Sequence, residues 1–223
     1  MISRKELAKM IDHTNIRPTA TAEDIKQLCG EAIKYGFNCV VVNPTYVPLA
    51  VKLLKGAAVK VCATVGFPLG VTLSKVKAYE TEIVAEIGAR EFDMVINLGA
   101  LKSKDYDLVK NDVKAVVDIK HAHPNSIIKV IIETGFLSEE EKVVACKLSK
   151  EAGADFVKTS TGLLVGKATI EDIKLMRKTV GPNMGVKASG GIRALKQALA
   201  MIEAGANRIG TSTGVQIVEE IPE

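Results

Sequence analysis

A weak internal repeat constrains this chain more than any other feature. Four times a helical stretch ends in glycine followed at once by a β-prone run: Gly36-Phe37-Asn38-Cys39-Val40-Val41, Gly88-Ala89-Arg90-Glu91-Phe92-Asp93-Met94-Val95, Gly153-Ala154-Asp155-Phe156-Val157 and Gly205-Ala206-Asn207-Arg208-Ile209. Glycine just past a helix supplies the left-handed conformation that ends it. A strand within a few residues is the short connection of repeated strand–helix units. The stretches before these glycines carry one apolar stripe at helical spacing, as at Ile25, Leu28, Cys29, Ala32 and Ile33, or Leu195, Ala198, Leu199 and Ile202. Val109, Val113, Val116 and Val117 repeat the pattern. Such helices lie on a sheet.

Short β-branched runs are expected as strands at 38–42, 60–65, 92–96, 127–132, 155–158, 184–187 and 207–210, with an eighth at 11–14 after a short helix over 3–10. Strands alternating with helices make a parallel sheet. An open doubly wound sheet normally carries a Gly-rich nucleotide loop after its first strand. Asn15-Ile16-Arg17-Pro18 and Asn43-Pro44-Thr45-Tyr46 hold none. The expectation is therefore an α/β fold: a single (β/α)8 TIM barrel with a short extra N-terminal helix, one domain over residues 1–223. Aromatics are 4% and tryptophan is absent, so the core is expected to be aliphatic layers of Val, Ile and Leu.

The net charge of +4 is scattered, without a basic block or interleaved aromatics, which argues against nucleic acid as a partner. The N-terminal MISRKELAKM has no signal-peptide core and no apolar run approaches a membrane span, so a soluble, cytoplasmic protein with no membrane partner is expected. Cys29, Cys39, Cys62 and Cys146 include no close pair for structural zinc, and reduced buried thiols are the expectation. His121 and His123 read as a solvated helix end, so a three-ligand metal site is not expected. Ser138-Glu139-Glu140-Glu141 reads as a helix cap with an acidic first turn.

In such a barrel the chemistry lies at the C-terminal ends of the strands. Those ends supply Asp12 to Thr14, Asn43, Thr64, Asp93 to Asn97, Glu133, Lys158 to Thr161, Lys187 to Ser189 and Gly210 to Ser212. If the faces of Asp93, Lys158 and Lys187 point inward, one aspartate and two lysines converge at the barrel mouth. The bland alternative is an ordinary ion pair, for instance with Glu133. An amine attacks a carbonyl only when neutral, and a neighbouring ammonium with apolar walls lowers its pKa. Either lysine can play nucleophile to the other's activator. Gly190-Gly191-Ile192-Arg193 and Gly210-Thr211-Ser212-Thr213-Gly214 stand where barrels of this kind often hold a phosphate.

With these residues assembled, the chain resembles the deoxyribose-phosphate aldolase family. The resemblance runs through Ile11-Asp12-His13-Thr14, Val42-Asn43-Pro44, Thr64-Val65-Gly66-Phe67-Pro68-Leu69-Gly70, Asp93-Met94-Val95-Ile96-Asn97 and Val130-Ile131-Ile132-Glu133-Thr134. It continues through Phe156-Val157-Lys158-Thr159-Ser160-Thr161-Gly162, Val186-Lys187-Ala188-Ser189-Gly190-Gly191-Ile192-Arg193 and Arg208-Ile209-Gly210-Thr211-Ser212, nearly the whole chain in one order. It implies that Lys158 forms the Schiff base, Lys187 perturbs it and Asp93 moves protons. It implies a phosphate pocket of Gly162, Gly190, Gly191, Gly210, Thr211 and Ser212. The implied reaction is reversible cleavage of 2-deoxyribose 5-phosphate to glyceraldehyde 3-phosphate and acetaldehyde, with scission expected at C3–C4 and with no cofactor or metal. A homodimer or homotetramer is implied too. Three departures stand out: Val41 where members often have cysteine, Thr213 where a serine is common, and Pro222-Glu223 in place of a C-terminal tyrosine tail. The rival readings are a phosphosugar isomerase using Asp93 or Glu133 as base, and a phosphate-sensing barrel without catalysis.

Overall fold

The computed structural model describes residues 2–221. Its elements alternate as the repeat requires: α1 (Arg4–Ala8), β1 (Ile11–Asn15), α2 (Ala22–Tyr35), β2 (Cys39–Val42), α3 (Val47–Leu53), β3 (Lys60–Val65), α4 (Ser74–Ile87), β4 (Glu91–Val95) and α5 (Leu98–Lys102). The second half follows with α6 (Tyr106–Val117), β5 (Ile127–Ile131), α7 (Glu139–Glu151), β6 (Phe156–Lys158), α8 (Ile170–Val180), β7 (Gly185–Ser189), α9 (Leu195–Glu203), β8 (Arg208–Thr211) and α10 (Gly214–Glu219). All eight strands are parallel and pair in chain order, and β8 closes onto β1 with Asp12 opposite Gly210. The fold is a (β/α)8 barrel. Every expected strand is present, its ends displaced by at most two residues.

Local chemistry accounts for the punctuation. Gly36 ends α2 at φ +68°, and Gly88, Gly153 and Gly205 also take positive φ where the other repeats turn from helix to strand. Ser138 caps α7 and exchanges bonds with Glu141, so the acidic run is the expected capped first turn. The same reciprocal cap starts α1 (Ser3, Glu6) and α2 (Thr21, Asp24). Among the described residues no helix is long and apolar enough to cross a membrane.

The sheet has two unlike faces, and the expected aliphatic core occupies the outer one. Facing the helices are Val40, Val42, Val61, Phe92, Met94, Ile128, Val130, Val157, Val186 and Ile209, which join one apolar cluster with the inward stripes of the helices. The alternating residues face the barrel axis, where Asp12, Glu91, Asp93, Lys129, Lys158 and Lys187 are almost fully buried. Asp12 on β1 and Lys129 on β5 meet at 3.5 Å across the barrel, which only axial side chains can do. Charge is tolerated there because it is paired. The aliphatic core is a sleeve around a charged centre.

At the lower end Phe156 lies across Gly185, its register partner on β7. A Cβ at Gly185 would stand 2.2 Å from the Phe156 ring. Gly185→Ala should therefore destabilise the fold by about 1–3 kcal/mol through overpacking, seen as a lower Tm. An unchanged Tm would mean the ring is not fixed there.

Candidate active site

Strand register builds the site. Asp93 pairs with Lys129 on β5, and Lys158 pairs with Lys187 on β7. The Asp93 carboxylate stands between these chains: Oδ2 accepts from Lys158 Nζ and Lys187 Nζ, both at 2.7 Å, and Oδ1 from Lys129 Nζ at 3.0 Å. The expected convergence of Asp93, Lys158 and Lys187 is present. Below it, Lys187 also reaches Asp12 Oδ2 at 2.7 Å. Lys129 reaches Glu91 at 2.7 Å, and Arg208 reaches Asp12 at 2.6 Å and Glu91 at 3.3 Å.

The charges in this network do not match. Three carboxylates (Asp12, Glu91, Asp93) already face three cations (Lys129, Lys187, Arg208), and Lys158 is a fourth cation. Its amine is the one whose proton the network can lose and become neutral. The pKa directions follow. Burial and the Lys187 ammonium push Lys158 below the usual lysine value, although Asp93 pulls the other way. Burial acts against Lys187 too, but Asp12 and Asp93 overcome it and raise that amine. Lys129 is held well above the usual value against burial, chiefly by Asp93. Asp93 itself, despite burial, is held well below the carboxylate range by Lys129, Lys158 and Lys187. The symmetry that left two candidate nucleophiles is broken by Asp12, which serves Lys187 alone of the two.

Access points the same way. A cavity of about 440 Å³ opens at the C-terminal rim and is lined by Lys158, while Lys187 and Asp93 lie beneath it. Gly162, Gly190, Gly191, Gly210, Thr211 and Ser212 all line this cavity, together with Arg17 and Arg193. Gly210 has a second use: a Cβ there would come within 3.0 Å of Lys187 Cε, so its absence leaves room for that side chain to reach Asp93. The Thr211 hydroxyl donates to the Ile192 carbonyl at 2.7 Å, tying together the two glycine-rich segments.

Other candidates fall elsewhere. Glu133 does not pair with either lysine; its Oε2 accepts the Thr161 N–H at 3.0 Å. His13 lines the cavity, packs on Phe37 and shares a 2.7 Å contact with Glu31, whereas His121 is exposed at the end of the short 3-10 helix Asp118–His121. Asp12, Cys39 and Glu91 bring three donor atoms within 4.8 Å of one another, but Lys129 and Arg208 already engage both carboxylates. All four thiols are buried and free. Of the four, Cys62 touches the network, 3.2 Å from Asp93 Oδ1. The sequence reading also missed Lys129, Glu91 and Arg208. Their signal was the alternation of charged and apolar residues in Glu91-Phe92-Asp93-Met94 and Ile128-Lys129-Val130.

A closed parallel barrel whose charged axis ends in one accessible amine, beneath a rim of small residues and arginines, has its cavity where enzymes of the β/α-barrel class carry their chemistry. Residues 7–220 match the family model described as DeoC/LacD family aldolase, and the chain belongs to that family. It is similar to the deoxyribose-phosphate aldolase of Thermococcus kodakarensis, 60% identical over 224 residues and covering all of both chains. A second deoxyribose-phosphate aldolase, from Thermococcus gammatolerans, is 62% identical over 216 residues, 96% of each chain. The solved tetrameric deoxyribose phosphate aldolase from Aeropyrum pernix superposes with a TM-score of 0.91 at 37% identity, covering 98% of this chain and 92% of that one.

Proposed function

We propose that this protein is a class I aldolase that reversibly cleaves 2-deoxy-D-ribose 5-phosphate to D-glyceraldehyde 3-phosphate and acetaldehyde, with Lys158 as its Schiff-base amine. The carrying observation is that Lys158 is both the surplus cation of the buried network and the network amine lining the cavity. The family and its relatives supply the reaction.

Neutral Lys158 attacks C1 of the open-chain aldehyde, and loss of water leaves an iminium. The bond that then breaks is C2–C3 and not C3–C4, because acetaldehyde retains C1 and C2. Its electron pair forms the enamine while the C3 hydroxyl gives up its proton and becomes the aldehyde of glyceraldehyde 3-phosphate. A proton delivered to C2 converts the enamine to the acetaldehyde iminium, and water releases Lys158. Asp93 is the proton carrier. Three ammonium neighbours make it a weak base, and loss of the Lys158 proton removes one of them only until the iminium returns a positive charge, so Asp93 hands protons on within its hydrogen-bonded network and does not hold them. Lys187 keeps the carboxylate in place and disfavours the charged form of Lys158.

The sugar's phosphate fits the rim of Gly162, Gly190, Gly191, Gly210, Thr211 and Ser212, where small residues let the backbone approach anionic oxygens. Release of acetaldehyde from 2-deoxyribose 5-phosphate, measured beside unphosphorylated 2-deoxyribose, tests this reading. The phosphorylated sugar should be cleaved with the far higher kcat/KM; equal values would refute the phosphate pocket, and no release from either would refute the aldolase. Lys187→Leu should move the acid limb of the pH–rate profile to higher pH, because Lys158 then loses a neighbouring positive charge and holds its proton more tightly. An unmoved limb would deny Lys187 the activating role.

A homodimer or homotetramer completes the proposal. Val76, Tyr79, Ile83 and Ile87 leave an apolar strip of α4 exposed, a surface suited to a second subunit. The cytoplasm is the compartment that suits four free thiols.

A further inference from the structure

We propose that Lys129 is a positioning residue that acts on Lys158 through Asp93, and that Glu91 opposes it, so that charge fixed deep in the barrel sets the pH at which the amine becomes nucleophilic. The proposal rests on the reading of Lys158 as that amine. Register puts Lys129 one inward-facing layer below Lys158: Lys129 stands opposite Phe156, and Ile131 opposite Lys158. It does not line the cavity, so it cannot touch substrate there. Its ammonium nevertheless grips the Asp93 oxygen that Lys158 does not use, at 3.0 Å, and binds Glu91 at 2.7 Å.

Every element around Lys129 contributes to its surroundings. Asp12 comes from β1, Cys39 from β2, Cys62 from β3, Glu91 and Asp93 from β4, Lys158 from β6, Lys187 from β7 and Arg208 from β8. Lys60 approaches Glu91 only at 3.7 Å from a half-exposed position, where water screens it. With these groups fixed, neutrality requires Lys158 to be uncharged. Removing the Lys129 charge leaves three carboxylates facing two other cations, and a protonated Lys158 then completes the balance. Removing the Glu91 charge does the reverse. The two changes should have opposite signs, which a loosened fold cannot produce.

The test is the pH dependence of borohydride trapping with 2-deoxyribose 5-phosphate in Lys129→Met, Glu91→Gln and the double variant, with the modified residue mapped in each. Lys129→Met should move the acid limb up by about one to two pH units, Glu91→Gln should move it down, and the double variant should return it toward wild type. If Lys129→Met does not fold, the downward shift of Glu91→Gln and its reversal in the double variant carry the test. Trapping at Lys158 with limbs that stay put, or that move in one direction for both charges, overturns this proposal alone. No trapping at Lys158 in the wild type overturns the aldolase reading beneath it.

Discussion

Lys158→Met is expected to eliminate turnover while leaving the protein as stable as before, or more so. No other amine lines the cavity from the charged network, and without an iminium the carbon–carbon bond has no electron sink. The loss should be on the order of 10⁴-fold or more in kcat, as when other covalent nucleophiles are removed. The stability result is the more diagnostic half. Buried ions are costly unless balanced, and Lys158 is the unbalanced one, so a methionine of similar length relieves the network instead of breaking it. Thermal unfolding beside a retro-aldol assay checks both halves. A large fall in Tm would show that Lys158 is a structural cation and that the charge balance described here is wrong.

Asp93→Asn, at the other end of the same 2.7 Å hydrogen bond, should behave in the opposite way. It strips three ammonium groups of their shared carboxylate. Leaving buried charge without its partner costs about 3–5 kcal/mol, which for a domain of this size lowers Tm by roughly 6–20 °C. Because Asp93 holds Lys158 charged, the acid limb of imine formation should move to lower pH. Turnover should still fall by about 10²–10⁴-fold, since the proton carrier is gone. Imine trapping that survives while kcat collapses would separate the two roles. A variant that retains wild-type kcat would remove Asp93 from the proton path.

Much of this architecture was legible in the sequence because its signals are local. The turn from helix to strand needs a backbone that only glycine adopts easily, and Gly36, Gly88, Gly153 and Gly205 mark four of them. Asp93, Lys158 and Lys187 were legible for a similar reason, each lying on a strand with hydroxyl or glycine residues just beyond the lysines. The lower half of the network was not. Arg208 meets Asp12 across 196 positions, and only closure of the barrel brings them together. Lys129 sits in an Ile-Ile-Lys-Val-Ile run that reads as a buried apolar strand until the register with Asp93 is known. The aliphatic core expected from composition is present as the sleeve around the axis, but counting Val, Ile and Leu does not say which face of the sheet they occupy. Short elements such as α5 and α10 escaped because each is too brief for a periodic stripe. The fully buried Glu133, weighed as an ion partner, is instead bound to the backbone of the loop that follows β6, a pairing that charge alone does not suggest.

The central claim is that one amine of this network, Lys158, becomes covalently joined to the substrate. Borohydride reduction in the presence of 2-deoxyribose 5-phosphate, followed by intact mass and peptide mapping, tests it most directly. The expected result is a single adduct on the peptide containing Lys158, absent when the sugar phosphate is omitted. An adduct on Lys187 would overturn the assignment made from the charge balance and the cavity, and no adduct in folded protein that still binds the sugar phosphate would contradict the Schiff-base mechanism altogether.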